Sequence, residues 1–135
     1  MGQFQLEHHL AQTFDDHHLA HARKPRTENN AEPDFLFPGV AEYRNPSFPA
    51  ARLTMLGAKS TCKDRWRQVL TEADRISQKH LFTLEPGISV GQTAEMQAHG
   101  LALVIPVALH PTYTPDQIAQ MLTLGQFIRL AAQRQ

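Results

Sequence analysis

Apolar residues return at helical spacing near the start of the chain. Phe4, Leu6, Leu10, Phe14 and Leu19 line one face of an amphipathic helix expected over residues 3–22. The polar run 23–33, a mixture of proline, asparagine and charge, reads as a loop. PDFLFPG (33–39), bounded by proline and glycine, predicts a short first strand, and RNPSFPA (44–50) a proline-rich connection. RLTMLGAK (52–59) predicts a second, mostly buried strand. Ser60 or Thr61 can then cap a helix over 61–76, with Trp66, Val69, Leu70, Ala73 and Ile76 as its buried stripe. KHLFTLEPG (79–87) predicts a third strand running into a turn. Ser89 caps a helix to about His99, and Gly100 stops it. LALVIP (101–106) is apolar throughout and predicts a strand buried on both faces. Thr114-Pro115-Asp116 opens a last helix to about Ala132, with proline at its first position. This order predicts an α/β fold around a mixed sheet whose parallel members come later in the chain.

Composition narrows the classes. The 135 residues are enough for one domain with a real core, and no linker or internal repeat divides them. No run of about 18 apolar residues is present, so no membrane span is expected. MGQFQLEHHL lacks the basic and apolar regions of a signal peptide. Cys62 is the single cysteine, which excludes an internal disulfide and points to a cytoplasmic protein. Net charge is zero, so binding to a polyanion would have to come from a local patch. The adjacent pairs His8-His9 and His17-His18 face different sides of a helix, and neither CxxC nor HExxH occurs, so a zinc site is not expected.

Charge is concentrated between residues 59 and 75. Lys59, Lys63, Asp64, Arg65, Arg67, Glu72, Asp74 and Arg75 crowd a segment that still has an apolar face. Metal-assisted hydrolysis of a phosphodiester needs two or more carboxylates for the ion and a cation beside the attacking water or scissile phosphate. Asp34 follows a proline at the start of one strand and Lys59 ends the next long one, so the two meet if both face one side of the sheet. At helical spacing Arg65 and Glu72 lie within about 20° of one another, flanking the apolar stripe. Glu72 could there be half-buried and meet a metal, or be a surface residue pairing with Gln68 or Arg75. Glu7 reads as a surface residue of the first helix, although that helix can pack near such a site. Cys62 and Trp66 read as packing residues.

Pro33-Asp34 followed by a strand lysine resembles the PD-(D/E)xK nucleases. More narrowly, PDFLFPG with LTMLGAKSTCKDRWRQVLTEADRI resembles the C-terminal catalytic domain of the EcoRII-type restriction endonucleases, from about residue 25 to near the end. The acid expected two positions before the lysine is missing, since Gly57 stands there. Related enzymes with CC-GG-framed targets carry it on the following helix, and Glu72 follows Lys59 with twelve residues between. The resemblance therefore implies a restriction-endonuclease-like mixed sheet flanked by helices. It implies Asp34, Lys59 and Glu72 as catalytic residues, with Asp34 and Glu72 holding Mg2+. It also suggests an active-site role for Tyr43, which reads equally well as a half-buried aromatic. Lys63-Asp64-Arg65 matches the family's triplet that reads C·G pairs. That assignment suits the chemistry, since arginine pairs with guanine O6 and N7 and aspartate accepts from cytosine N4.

The implied function is a magnesium-dependent, site-specific cutter of double-stranded DNA of Type II restriction type. It would act as a homodimer, with a companion methyltransferase possible. Residues 1–135 would form a single catalytic domain, N-terminally short relative to the family. The alternatives are a truncated inactive remnant and a mismatch-nicking repair endonuclease on the same fold.

Overall fold

The structure, a computed structural model, describes residues 2–28 and 31–135, and of Lys63 and Asp64 the backbone alone. A five-stranded mixed sheet runs in the spatial order β1 (Ala22–Arg23), β2 (Phe35–Phe37), β3 (Thr54–Lys59), β4 (Lys79–Thr83), β5 (Leu101–Val104). The first two pairings are antiparallel and the last two parallel, as the order of elements predicted.

Alternation along the strands divides the core into two layers. Phe35, Phe37, Leu56, Ala58, Phe82 and Val104 face one side. There α1 (Gln3–Asp16) covers them with Leu6, Leu10 and Phe14, and α5 (Leu124–Arg134) with Phe127, Ile128 and Ala131. Leu36, Met55, Leu81 and Leu103 face the other side. They meet Trp66 and Val69 of a 3-10 segment, Tyr43 of α2 (Val40–Arg44), Met96 of α3 (Val90–Ala98), and Met121 just after α4 (Pro115–Gln120). Cys62 and Trp66 are packing residues, at 1% and 2% exposure.

Several expectations need correction. The first helix stops at Asp16, because His18 adopts a positive φ of 54° and the Leu19 amide turns back to the Phe14 carbonyl. The two-residue β1 and five-residue α2 were too short to leave a periodicity. The long last helix is two helices. Leu122 between them pairs with Val104, exchanging backbone hydrogen bonds with Leu103 and Ile105 at 2.9 Å each. Each half begins with a reciprocal cap, Thr114 with Gln117 and Thr123 with Gln126.

The helix expected over 61–76 is a 3-10 segment, Lys63–Thr71, which begins after Cys62. Its buried residues Trp66 and Val69 are three apart, which suits three residues per turn. Beyond Thr71 tertiary partners hold the turn. The Arg75 amide goes to Tyr43 Oη (3.2 Å), and Lys79 Nζ takes the Ala73 and Ile76 carbonyls. Glu72 is therefore extended, and Ala73 sits at φ 54°. The shared stripe proposed for Arg65 and Glu72 does not form.

Candidate active site

The site is built where β2 and β3 diverge. Asp34 lies one step before the Phe35–Leu56 pair and is 7% exposed. Its Oδ2 accepts the Ala58 amide at 2.7 Å, which anchors the carboxylate against β3. Burial pushes its pKa up, and the negative charge of Glu7 adds to that. The Ala58 hydrogen bond and the Lys59 and Lys24 charges act the other way. Lys59 ends β3, half-buried, on the strand face that carries Met55 and Gly57.

Gly57 shows why the strand has no acid two positions before the lysine. A Cβ there would stand 3.1 Å from Val69 Cγ2 and 3.4 Å from Leu81 Cδ1. The Val69 side chain of the 3-10 segment packs against β3 at that point, so any side chain at residue 57 would have to displace its methyl groups. Glu72 enters from the turn just beyond that segment. One of its oxygens, Oε1, is buried without a hydrogen bond. Its pKa is raised to about 7, chiefly by burial and then by the Asp34 carboxylate, against the opposing charges of Lys59 and Lys79. Asp34, Lys59 and Glu72 thus share one electrostatic neighbourhood, although Glu72 comes from an extended residue after the 3-10 segment rather than from a helix.

Two carboxylates pushed toward the neutral form and a buried oxygen without a partner suit a hard divalent cation. Asp34 and Glu72 are the residues that would hold it. Among the described residues no group of three or more Asp, Glu, His or Cys side chains gathers for a metal.

Glu7 was misjudged from the sequence. It is 1% exposed and accepts from Gln3 Nε2 at 2.7 Å, with Lys24 Nζ at 3.3 Å and Arg23 Nε at 3.9 Å. Gln3 also donates to the Ala58 carbonyl at 2.5 Å, so α1 is tied to the residue whose amide anchors Asp34. The available signal was position: Glu7 adjoins Leu6 and stands three before Leu10, inside the apolar face.

Tyr43 is placed otherwise than the active-site expectation. Its hydroxyl donates to Glu28 Oε1 at 2.5 Å and accepts from the Arg75 amide, so its partners are Glu28 and Arg75 rather than Asp34, Lys59 or Glu72. Burial and the bond to Glu28 raise its pKa and keep the phenol protonated. The Arg75 guanidinium donates to the carbonyls of Tyr43, Asn45 (3.1 Å) and Phe48 (2.6 Å), fixing the loop after α2 to the turn that carries Glu72. Of the proposed base-reading triplet, Arg65 is exposed, and the side chains of Lys63 and Asp64 lie outside the described residues. Arg67 stacks over Trp66 at 4.4 Å and bridges Glu95 at 2.8 Å.

The family described as EcoRII C terminal matches residues 2–128, further toward the N-terminus than the motifs alone suggested. The Type II restriction enzyme EcoRII of Escherichia coli is 50% identical over 124 residues, which is 91% of this chain and 31% of that protein. The chain thus spans about a third of that relative's length. Among solved structures, metal-depleted Ecl18kI in complex with uncleaved, modified DNA superposes with a TM-score of 0.80 at 19% identity, over 95% of this chain and 43% of that one. The restriction endonuclease PspGI–substrate DNA complex superposes at 0.75 and 11% identity, over 95% and 59%. Both likenesses place the sheet and its flanking helices in the restriction-endonuclease fold. With its matched region covering nearly its whole length, the chain belongs to the EcoRII C-terminal family.

Proposed function

We propose that the chain is a catalytic domain that hydrolyses phosphodiesters in double-stranded DNA, site-specifically, in the manner of Type II restriction enzymes. What supports this reading is a carboxylate held on the Ala58 amide, Asp34, together with the buried and unpartnered Glu72 Oε1, in one electrostatic neighbourhood with Lys59. The DNA complexes among the structural neighbours support DNA as the partner.

Asp34 and Glu72 would hold Mg2+, which when bound would supply Lewis-acid charge and a more acidic water. Asp34 is oriented by the Ala58 amide and keeps its other oxygen for the site. Lys59 contributes a fixed positive charge where negative charge builds on the scissile phosphate. Arg65, with Lys63 and Asp64, would read C·G pairs of a CC-GG-framed target from the start of the 3-10 segment. A palindromic target would call for two copies of the chain. A companion methyltransferase would protect such sites in a cytoplasmic setting. No described helix is long and apolar enough to cross a membrane.

The test is cleavage of a plasmid carrying CC-GG-framed sites, with and without Mg2+, beside Lys59→Ala and Glu72→Ala. Discrete magnesium-dependent fragments, lost in both folded variants, are expected. Single-strand nicks would replace this reading with a nicking one, and no cutting by the folded protein would refute it for this chain.

A further inference from the structure

Lys79 opens β4 and is 6% exposed, which is costly for an ammonium unless it finds partners. It finds two backbone carbonyls, Ala73 at 2.7 Å and Ile76 at 2.5 Å. Around it lie the negative charges of Asp74, Glu28 and Glu72. We propose that Lys79 is a positioning residue for Glu72: its ammonium grips the turn 73–76 and so fixes the direction in which the Glu72 carboxylate leaves the 3-10 segment.

The turn needs such a grip. Ala73 has φ 54°, a left-handed conformation that residues with a Cβ disfavour. Its carbonyl accepts twice, from the Ile76 amide at 2.9 Å and from Lys79. Glu72 is the residue immediately before, and its amide closes the 3-10 segment on Val69 at 3.2 Å. If Glu72 and Ala73 both relaxed to right-handed helical backbone, the helix would run on to Ile76, as the apolar pattern favours. Glu72 would then swing away from Asp34 onto the flanking stripe. Lys79 holds the turn as it stands by tying its two ends together through the Ala73 and Ile76 carbonyls.

The proposal rests on Glu72 being a metal ligand, so the test separates the two. Mn2+ binding to the whole chain is measured by electron paramagnetic resonance, without DNA or turnover. Near-UV circular dichroism at the same temperature checks the fold. Lys79→Met is expected to weaken binding about tenfold, the scale of an outer-shell partner, and Lys79→Arg to recover most of that loss. In a Glu72→Ala background Lys79→Met should add nothing. Binding unchanged in Lys79→Met while Glu72→Ala weakens it overturns the role of Lys79. So does an equal loss with and without Glu72, the mark of a general structural effect. Unchanged binding in Glu72→Ala overturns the reading of Glu72, and this proposal with it. If Lys79→Met does not fold, Lys79→Gln, which keeps donors but loses the charge and some reach, takes its place in the same comparison.

Discussion

Replacing Glu72 by glutamine should make the metal-free protein more stable, and only at higher pH. The Glu72 pKa rises from 4.5 to about 7 on folding. A raised folded pKa means that the native state binds more protons between those values. Its contribution is therefore complete below pH 4.5 and lost as pH rises through 7. The shift is worth at most about 3.4 kcal/mol at 1.36 kcal/mol per pKa unit. Discounting for the part of this half-buried carboxylate that water reaches leaves about 2 kcal/mol. Glutamine has nearly the same volume and cannot ionise. At pH 8 in a chelator, Glu72→Gln should therefore be about 2 kcal/mol more stable than wild type, or about 6 °C in Tm. At pH 4.5 the two should coincide. Magnesium should raise the wild-type Tm and leave the variant's nearly unchanged, since binding to the native state alone stabilises it. Urea unfolding followed by the fluorescence of Trp66, the single and buried tryptophan, measures this. A variant no more stable than wild type at pH 8, or one equally stabilised at both pH values, would refute the account of Glu72 as a carboxylate held against its charge.

His80 should give the opposite slope. It is 1% exposed, its ring edge packs on Phe127, and burial lowers its pKa from 6.5 to about 4, so stability is complete above pH 6.5 and declines toward pH 4, by about 3 kcal/mol in all; His80→Leu should flatten that part of a pH–stability curve. Gly57→Ala should cost about 1–2 kcal/mol by pressing on Val69, and Val69→Ala added to it should recover part of the loss by urea titration, unlike two independent core lesions. Gly57→Asp should fail to restore cleavage to Glu72→Ala, because the aspartate would have to displace the Val69 methyl groups; regained cutting would count against that packing argument. Glu7→Gln should keep the Gln3 contact and lower the Asp34 pKa by removing a negative neighbour, read as an NMR shift of the Asp34 carboxyl titration.

Much of the layering was legible because it depends on periods the sequence displays. The stripe Leu6, Leu10, Phe14 reports which face of α1 is buried, and the unbroken apolar run at 35–37 and the mostly apolar one at 54–58 report strands buried on both faces. What could not be read depends on contacts distant in sequence. Nothing local says that Lys79 will take the carbonyls of Ala73 and Ile76, or that Tyr43 will take the Arg75 amide. The helix over 61–76 was therefore extended past its end. The split between α4 and α5 was partly visible, since TLGQ (123–126) repeats the capping pattern of TPDQ (114–117). Leu122 itself is extended because it joins the edge of β5. The partners Asp34 and Lys59 could be matched by motif, while the burial of Glu7 required knowing that α1 lies over Ala58.

The close approach at Gly57 links the missing strand acid to its replacement. Val69 can sit 3.1 Å from the position of a Cβ only because residue 57 has none. A side chain there would press on Val69 and strain the packing of the 3-10 segment on β3. It would also move everything the segment carries: Arg65 at its exposed start, Val69 in the core, and Glu72 at its exit. On the proposed reading of Glu72, the glycine that leaves the strand without a carboxylate lets the segment leading to Glu72 pack closely on β3. On this reading the charged run 59–75 is a rigid lever. Its apolar stripe is pinned through Val69, and its far end is pinned by Lys79 and by Tyr43 with Arg75. Base-reading groups at one end and a metal-holding carboxylate at the other would then move together, so that the position of the target pairs fixes that of the scissile phosphate.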